Sequence, residues 1–146
     1  MILFFKHDVV FEIKNKRGYK RWLNELASRF GKRIVEISIV FCSDTYMEEL
    51  NRRFLGHDYP TDVITFDTSS LLRRQGISGD IYIGIERVVF NAEDYCISFK
   101  EELLRVMAHG LLHLLGHNDA TDEERLLMHQ QEDAAIACFK DHDLNR

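Results

Sequence analysis

The sequence predicts an α+β domain, arranged in α/β-type layers, in which a small mixed β-sheet packs with about five helices. The first observation is order, because strand, helix and strand patterns come first, two more strands follow, and three helical segments close the chain. The second is size, since 146 residues with 45% hydrophobic side chains are enough for one core. The third is the lack of repeats or linkers in the sequence, which predicts a single domain over residues 1–146.

The N-terminal part of the chain alternates between extended and helical patterns. Residues 2–5 form an apolar run that predicts a strand, and residues 9–13 predict a second extended segment. In residues 15–30 apolar side chains recur at helical spacing, and Gly31 ends the helix because glycine tolerates the left-handed conformation. Residues 33–42 carry β-branched side chains in alternation, which predicts a strand.

The middle of the chain predicts one helix and two strands. Either Ser43 or Thr45 caps a helix that ends near residue 54. Residues 56–62 form a loop that contains the only proline of the sequence. Residues 63–66 and 79–85 predict strands, and the connection between them is polar.

Three helices are predicted in the last part of the chain. The first covers residues 86–95. The second begins after Ser98 with a capping-box pattern and ends near residue 115, and its long apolar run places it near the core. The third begins after Thr121 with another capping box and ends near residue 139, which leaves residues 141–146 as a polar tail.

Composition and charge limit the classes of function. A net charge of −5 argues against a protein that coats nucleic acid with positive surface, although a basic groove confined to one face stays compatible with it. The three cysteines form no CxxC pair, which predicts reduced thiols in a cytoplasmic protein. The apolar run at the N-terminus is too short for a signal peptide or a membrane span, so no membrane partner is expected.

Three histidines fall within nine residues at the end of the second of these helices. His109 and His113 are four residues apart, so on a helix they share one face at the spacing that two imidazole ligands of one metal ion need. Gly116 then allows the chain to turn back, and His117 and Asp119 follow it as candidates for a third ligand. The alternative is a structural cluster, but burying several imidazoles among leucines is costly unless each finds a partner.

The spacing His-x-x-x-His-x-x-Gly-x-x-Asp matches the ligand spacing of the metzincin proteases, with Asp119 in place of their third histidine. This offset favours Asp119 over His117 as the third ligand. Those proteases carry a glutamate, their general base, directly after the first histidine, and here that position is Gly110. The pattern therefore predicts a metal clamp without the protease base.

Four segments match one family in the same order along the chain. They are Leu50-Asn51, Pro-Thr-Asp-Val-Ile-Thr-Phe at residues 60–66, Gly-Asp-Ile-Tyr-Ile at residues 79–83, and His-Gly-Leu-Leu-His-Leu-Leu-Gly at residues 109–116. On these segments the chain resembles the YbeY family of metal-dependent endoribonucleases. The resemblance implies a compact α/β fold and a zinc site, and with the histidine spacing it predicts one zinc ion per chain, held by His109, His113 and Asp119.

The resemblance also implies a substrate and partners. It implies hydrolysis of single-stranded RNA in the maturation of the 3′ end of 16S ribosomal RNA and in ribosome quality control. The expected partners are ribosomal RNA and the small ribosomal subunit, and no DNA is expected. The general base of such a reaction stays open, and His117 is the candidate that the sequence offers.

The chain departs from the family pattern at two positions. Asp119 stands where the family usually has a histidine, and a carboxylate oxygen is an accepted zinc ligand. Leu55 stands where the family usually has an arginine for the RNA backbone, and Arg52 and Arg53 are the RNA-binding candidates that replace it. Further candidates for the basic lining of an RNA groove are Arg73, Arg74 and, less favoured, the helix face at residues 14–21.

Two other functions fit the same pattern. One is a zinc-containing ribosome-assembly factor with little catalysis, and the other is a metallopeptidase-like hydrolase. A coordination position left open for exchange would favour an enzyme, whereas a fourth protein ligand would favour a structural zinc. Gly110 in place of the base argues against the peptidase.

Overall fold

The computed structural model of the chain describes residues 1–56, 61–71 and 75–144, with side chains in the last helix up to Phe139. Within these residues it contains four strands and five α-helices. The strands are β1 (Ile2–His7), β2 (Ile34–Cys42), β3 (Val63–Asp67) and β4 (Ile77–Gly84). The helices are α1 (Lys16–Arg29), α2 (Asp44–Leu50), α3 (Ile85–Asp94), α4 (Phe99–Leu114) and α5 (Asp122–Leu144).

The four strands form one mixed sheet in the order β1-β2-β4-β3. Strands β1 and β2 pair in parallel, β2 and β4 pair in parallel, and β3 pairs antiparallel with β4. Strand β4 thus lies inside the sheet, and its apolar run fits a strand that is covered on both faces. This arrangement confirms the predicted α+β class with a small mixed sheet and about five helices.

The helix that carries the paired histidines lies directly on the sheet. Two glycines allow this close approach: a Cβ atom at Gly110 of α4 would lie 2.8 Å from Ile81 Cγ2, and one at Gly79 of β4 would lie 2.7 Å from the backbone oxygen of Phe66. Both distances are shorter than a packed interior allows. Gly110 therefore serves the contact between helix and sheet, which explains why this position does not carry a catalytic glutamate.

Helix α1 packs against α4 and α5. The Trp22 side chain is 1% exposed, its indole nitrogen donates a hydrogen bond of 2.7 Å to the Ala135 carbonyl, and its ring packs edge-on against Phe139. Because an indole N–H needs a partner when it is buried, this bond fixes the position of α5 on α1. The same contact presents the first half of α5 to α4.

The element boundaries differ from the sequence predictions in four places. The expected extended segment at residues 9–13 is not part of the sheet; instead its alternate apolar side chains pack on the core. Helix α2 is capped by Ser43, not Thr45, and ends at Leu50, after which one π-helical turn covers Asn51–Leu55. The polar connection before β4 is shorter than expected, since the strand begins at Ile77. Residues 141–144 continue α5 and are not a tail.

Other predictions agree with the structure. Gly31 adopts φ +70° after α1, as predicted for the end of this helix. At its start, where no cap was predicted, the Asn15 side-chain oxygen accepts from the Gly18 amide. Ser98 caps α4, and Thr121 and Glu124 form a complete capping box before α5. The predicted loop at residues 56–62 lies largely outside the described residues. In the described part of the chain, no helix has both the length and the apolar character needed to cross a bilayer.

Candidate metal centre

The structure brings His109, His113 and Asp119 together at the end of α4. The Nε2 atoms of the two histidines lie 3.0 Å apart, and the Asp119 Oδ2 atom lies 3.4 Å from His109 Nε2 and 3.3 Å from His113 Nε2. Two ligands of a tetrahedral zinc ion, at bond lengths of about 2.0–2.1 Å, lie about 3.3 Å apart. The spacing of the three atoms therefore fits a metal of this size without rearrangement.

Local sequence explains how the third group reaches the other two. Helix α4 ends at Leu114 with Leu115 as its C-cap, and Gly116 adopts φ +101°, a conformation that residues other than glycine rarely adopt. The amides of Gly116 and His117 then bond back to the carbonyls of His113 and Leu112 at 3.0 Å each. This closure reverses the chain, so that Asp119 returns to the histidine face of the helix.

The other ring nitrogen of His109 is occupied. Its Nδ1 atom lies 2.6 Å from Oε2 of Glu132, a residue of α5 that is 5% exposed. Because an ionised carboxylate only accepts hydrogen bonds, Nδ1 carries the proton, and in the neutral imidazole Nε2 is left with a free lone pair. A carboxylate behind a ligating histidine is the usual outer partner of a metal site, since it fixes the tautomer and the ring orientation.

His113 is held in a similar way. A hydrogen bond with the backbone of His117 raises the pKa of its imidazole, so the ring is the donor in that bond. Burial and, after it, the charge of His109 outweigh this bond and the raising effect of Asp119, so the pKa of His113 lies below its ordinary value. The neutral form, with one lone pair directed at the cluster, is the form that binds a metal. Burial lowers the pKa of His109, but the hydrogen bond and charge of Glu132 outweigh burial and raise it. One nitrogen from each histidine and one Asp119 oxygen thus converge on one point, which is the donor set of a cation site.

A cleft of about 440 Å³ opens beside His109. Its polar lining consists of Asp62, Glu101, Glu102, Arg105, His109, His129 and Glu132, and its apolar lining of Val63, Tyr95, Ile97 and Val106. Arg105 donates to Glu132 at 3.1 Å and to Asp133 at 2.7 Å, so the guanidinium anchors the carboxylate that orients His109. The cleft therefore reaches His109, one of the three candidate ligands, next to a supported cation, whereas His113 and Asp119 are not among its lining residues.

Two carboxylates with raised pKa values line this cleft. Burial raises the pKa of Asp62, which accepts a 3.5 Å hydrogen bond from Asn91. Burial, together with the charge of Asp62, raises the pKa of Glu102 to about 7, and Arg105 opposes this shift. Glu102 is 2% exposed, and its Oε1 atom has no hydrogen-bond partner in the part of the chain that the structure describes.

Glu102 is expected to make stability fall as the pH rises. Its pKa is about 7 when folded against 4.5 for an ordinary glutamate, so the native state binds the proton more tightly and loses free energy of unfolding between pH 4.5 and pH 7. Glu102→Gln removes this loss and should be more stable than the wild type at pH 8 by on the order of 2 kcal/mol, with little difference at pH 4.5. Urea unfolding at both pH values measures the difference in the free energy of unfolding. The control is Glu93→Gln, which makes the same change at an exposed glutamate. An equal effect at both pH values would contradict the assignment.

The remaining candidates from the sequence are not in this cluster. The ring of His117 packs edge-on against Phe30, with the ring centroids 4.8 Å apart, and its role as a base stays a prediction. Arg52 and Arg53 are exposed on the π-helical turn, where Arg53 lies 3.6 Å from Glu49 and against the ring of Phe54. Neither arginine lines the cleft beside His109. Arg73 and Arg74 lie outside the described residues.

Glu132 and Arg105 were not among the site residues predicted from the sequence. A signal for Glu132 was present, because it interrupts the apolar stripe of α5 formed by Met128, Ala135, Ile136 and Phe139, and a buried charge needs a partner. Arg105 precedes His109 by four residues and so lies on the same helix face. That these two residues meet depends on how α5 packs on α4.

Together, the fold and the cluster define a class: small α+β proteins with two histidines and a carboxylate ready to bind a cation beside a cleft. A family model described as Endoribonuclease YbeY matches residues 5–140. This chain therefore belongs to the endoribonuclease YbeY family, which agrees with the resemblance seen in its motifs.

Individual relatives cover almost the whole chain. An endoribonuclease YbeY from Cytophaga hutchinsonii is 44% identical over 139 residues, which are 95% of this chain and 96% of the relative. Another, from Flavobacterium psychrophilum, is 43% identical over 135 residues, 92% of this chain and 94% of the relative. A Thermotoga maritima protein solved in solution has a similar fold, with a TM-score of 0.66 and 26% identity, and the match covers 99% of this chain and 93% of that one.

Proposed function

We propose that this protein is a zinc-dependent endoribonuclease that hydrolyses single-stranded RNA, with the 3′ end of the small-subunit ribosomal RNA as its substrate. The observation that carries the proposal is the convergence of His109 Nε2, His113 Nε2 and Asp119 Oδ2 within 3.0–3.4 Å of one another beside an open cleft. Membership of the endoribonuclease YbeY family supports the phosphodiester bond as the bond that is cleaved.

Two histidines and a carboxylate suit zinc by their chemistry. Three protein ligands are the number found at catalytic zinc sites, which keep one position for water or substrate. Zinc held there would supply a Lewis acid for a phosphoryl oxygen and would make water a better nucleophile near neutral pH. We infer that the protein uses the site for catalysis, because three ligands leave a position open.

The residues around the cluster have separate tasks. Glu132 holds His109 in the tautomer that leaves Nε2 free, and Arg105 compensates the charge of Glu132. Arg105 is the permanently charged cation among the lining residues of the cleft, so it is the group that can meet RNA phosphates there. This assigns to Arg105 part of the role expected for an arginine at position 55, where the chain has Leu55.

The limited exposure of the candidate metal ligands favours single-stranded RNA as the substrate. The metal candidates are only partly exposed, with 22% of the His109 side chain and 26% of the His113 side chain accessible. A flexible single strand can bend a phosphate into such a site, and its unstacked bases can contact the cleft walls. A rigid duplex presents its phosphates along a fixed surface and fits this cleft less well.

RNA cleavage by matched histidine variants tests the proposal. The substrate is a single-stranded transcript of the 3′ end of the small-subunit RNA, and the proteins are the wild type, His113→Ala and His7→Ala. Removing a metal ligand is expected to cost several kcal/mol of transition-state stabilisation, hence roughly 10²–10³-fold in rate. His7 contacts Tyr46 and not the cluster, so His7→Ala should keep full activity.

Three results are distinguishable. Cleavage that a chelator abolishes and zinc restores, that is lost in His113→Ala and that persists in His7→Ala supports the nuclease. Equal trace cleavage by all three proteins indicates a contaminating nuclease and contradicts the proposal, in favour of an assembly factor whose zinc is structural. Cleavage without metal that is unchanged in His113→Ala would also overturn the assigned site.

A further inference from the structure

A second cationic region lies at the start of α1, away from the candidate metal centre. We define the basic surface as Lys14, Lys16, Arg17, Lys20 and Arg21, which place five cations within eight consecutive residues and no acidic residue between them. All are exposed except Lys20, which is half-buried. The chain as a whole has 24 acidic residues against 19 lysines and arginines, so this concentration is not explained by composition.

In the described structure, compensation of the basic surface is limited to an electrostatic interaction between Lys16 and Glu12, whose carboxylate already pairs with Lys6. Within the described residues, none of its five cations lies within ion-pair distance of a carboxylate, whereas Lys6 pairs with Glu12, Arg53 with Glu49 and Arg105 with Glu132. The first turn of α1 contains no acidic residue. Cations at the positive end of a helix dipole are unfavourable by some tenths of a kcal/mol each, and an anionic partner would relieve this cost.

Aromatic side chains lie beside these cations. The Lys20 ammonium lies 6.0 Å from the centre of the Phe4 ring, and Phe5 at the edge strand β1 is 50% exposed. A groove of about 180 Å³ runs past Phe4, Phe5, Phe11 and Lys16, and the paired side chains of Lys6 and Glu12 also line it. Cations that hold a phosphate backbone next to aromatic faces that stack on bases are the two parts of a surface for single-stranded nucleic acid.

We propose that the basic surface is a second RNA contact, which binds the phosphates of a segment that flanks the cleavage site. The inference deepens the proposed function, since it takes RNA as the substrate. Helix α1 connects the two regions: it begins at the basic surface, and Phe30 at its end contacts His117 beside the cluster. With a rise of about 1.5 Å per residue, its length is about 20 Å, so RNA must extend several nucleotides beyond the metal centre to reach both.

RNA binding by charge-reversed variants tests this contact. The double variant Lys16→Glu/Arg17→Glu changes two exposed residues of the first turn, where acidic side chains favour the helix dipole, so it is expected to fold. The control Lys32→Glu/Arg33→Glu changes the net charge equally at two exposed residues after α1. Both are made in a His113→Ala background, so that binding is measured without cleavage. Fluorescence anisotropy follows two labelled single strands, of 16 and of three nucleotides, over a range of salt.

The double variant should bind the longer strand about tenfold more weakly than the parent at low salt. The slope of log K against log salt should also be reduced by about 1.4, because each phosphate contact in a single strand contributes about 0.7 to this slope and two contacts are removed. The double variant should bind the three-nucleotide strand like the parent, and the control should bind both strands within about twofold of the parent. Equal weakening by control and double variant would show an effect of net charge alone and overturn the contact, as would unchanged binding of the longer strand. Because these proteins do not cleave RNA, the binding result does not depend on the outcome of the nuclease assay.

Discussion

Asp119→Ala is expected to lower the affinity for zinc by at least about 100-fold, while His117→Ala leaves it unchanged within about twofold. The Asp119 carboxylate is within 3.4 Å of both histidine Nε2 atoms, so its loss leaves only two protein ligands. Two ligands of the same helix cannot close a tetrahedral site. His117 also follows Gly116, but its ring packs on Phe30, so its removal takes away no ligand.

Competition with a zinc-chelating dye measures both affinities, and elemental analysis of protein purified without added metal measures retention. Near-stoichiometric zinc is expected in the wild type and in His117→Ala. Asp119→His serves as the restoring variant, because it provides the third imidazole that the family pattern usually has and zinc accepts either ligand. The reverse order, with zinc kept in Asp119→Ala and lost in His117→Ala, would refute the ligand assignment.

Glu132→Ala is expected to weaken zinc binding by about 10–100-fold, although Glu132 is not a ligand. Its Oε2 atom lies 2.6 Å from His109 Nδ1, so its loss frees the ring to rotate and to exchange tautomers. The free energy of unfolding should also fall, by about 2–3 kcal/mol, because Arg105 and His109 lose a buried partner. Metal titration and urea unfolding measure the two effects.

Asp133→Ala is the matched control for Glu132. It also removes a partner of Arg105, at 2.7 Å, but it is exposed and makes no contact with His109 in the described structure. A small loss of stability with unchanged zinc affinity is expected, since exposed ion pairs contribute about 0–1 kcal/mol. If both variants lost zinc affinity equally, the effect would come from Arg105, and the orienting role of Glu132 would be wrong.

Much of the fold was predictable because its signals are local. The alternation of Ile37, Ile39 and Phe41 in β2 and the apolar period of α1 follow from the geometry of strand and helix. The predicted boundaries are wrong where the same local sequence pattern fits two different structures. Residues 9–13 alternate like a strand, but no neighbouring strand pairs with them, and their apolar side chains pack on the core instead. Periodicity alone does not determine whether a segment finds a hydrogen-bonding neighbour.

What the sequence by itself determined about the candidate site is the set His109, His113 and Asp119. These residues span eleven positions, and a helical turn with a glycine exit is sufficient to predict that they share one face. Only the tertiary structure decided which groups support that set. Glu132 is 23 residues from His109 in the chain, and it reaches Nδ1 because Trp22 and the core hold α5 against the rest of the fold. Helix geometry fixes contacts within one turn, whereas contacts between helices depend on packing that no local spacing encodes.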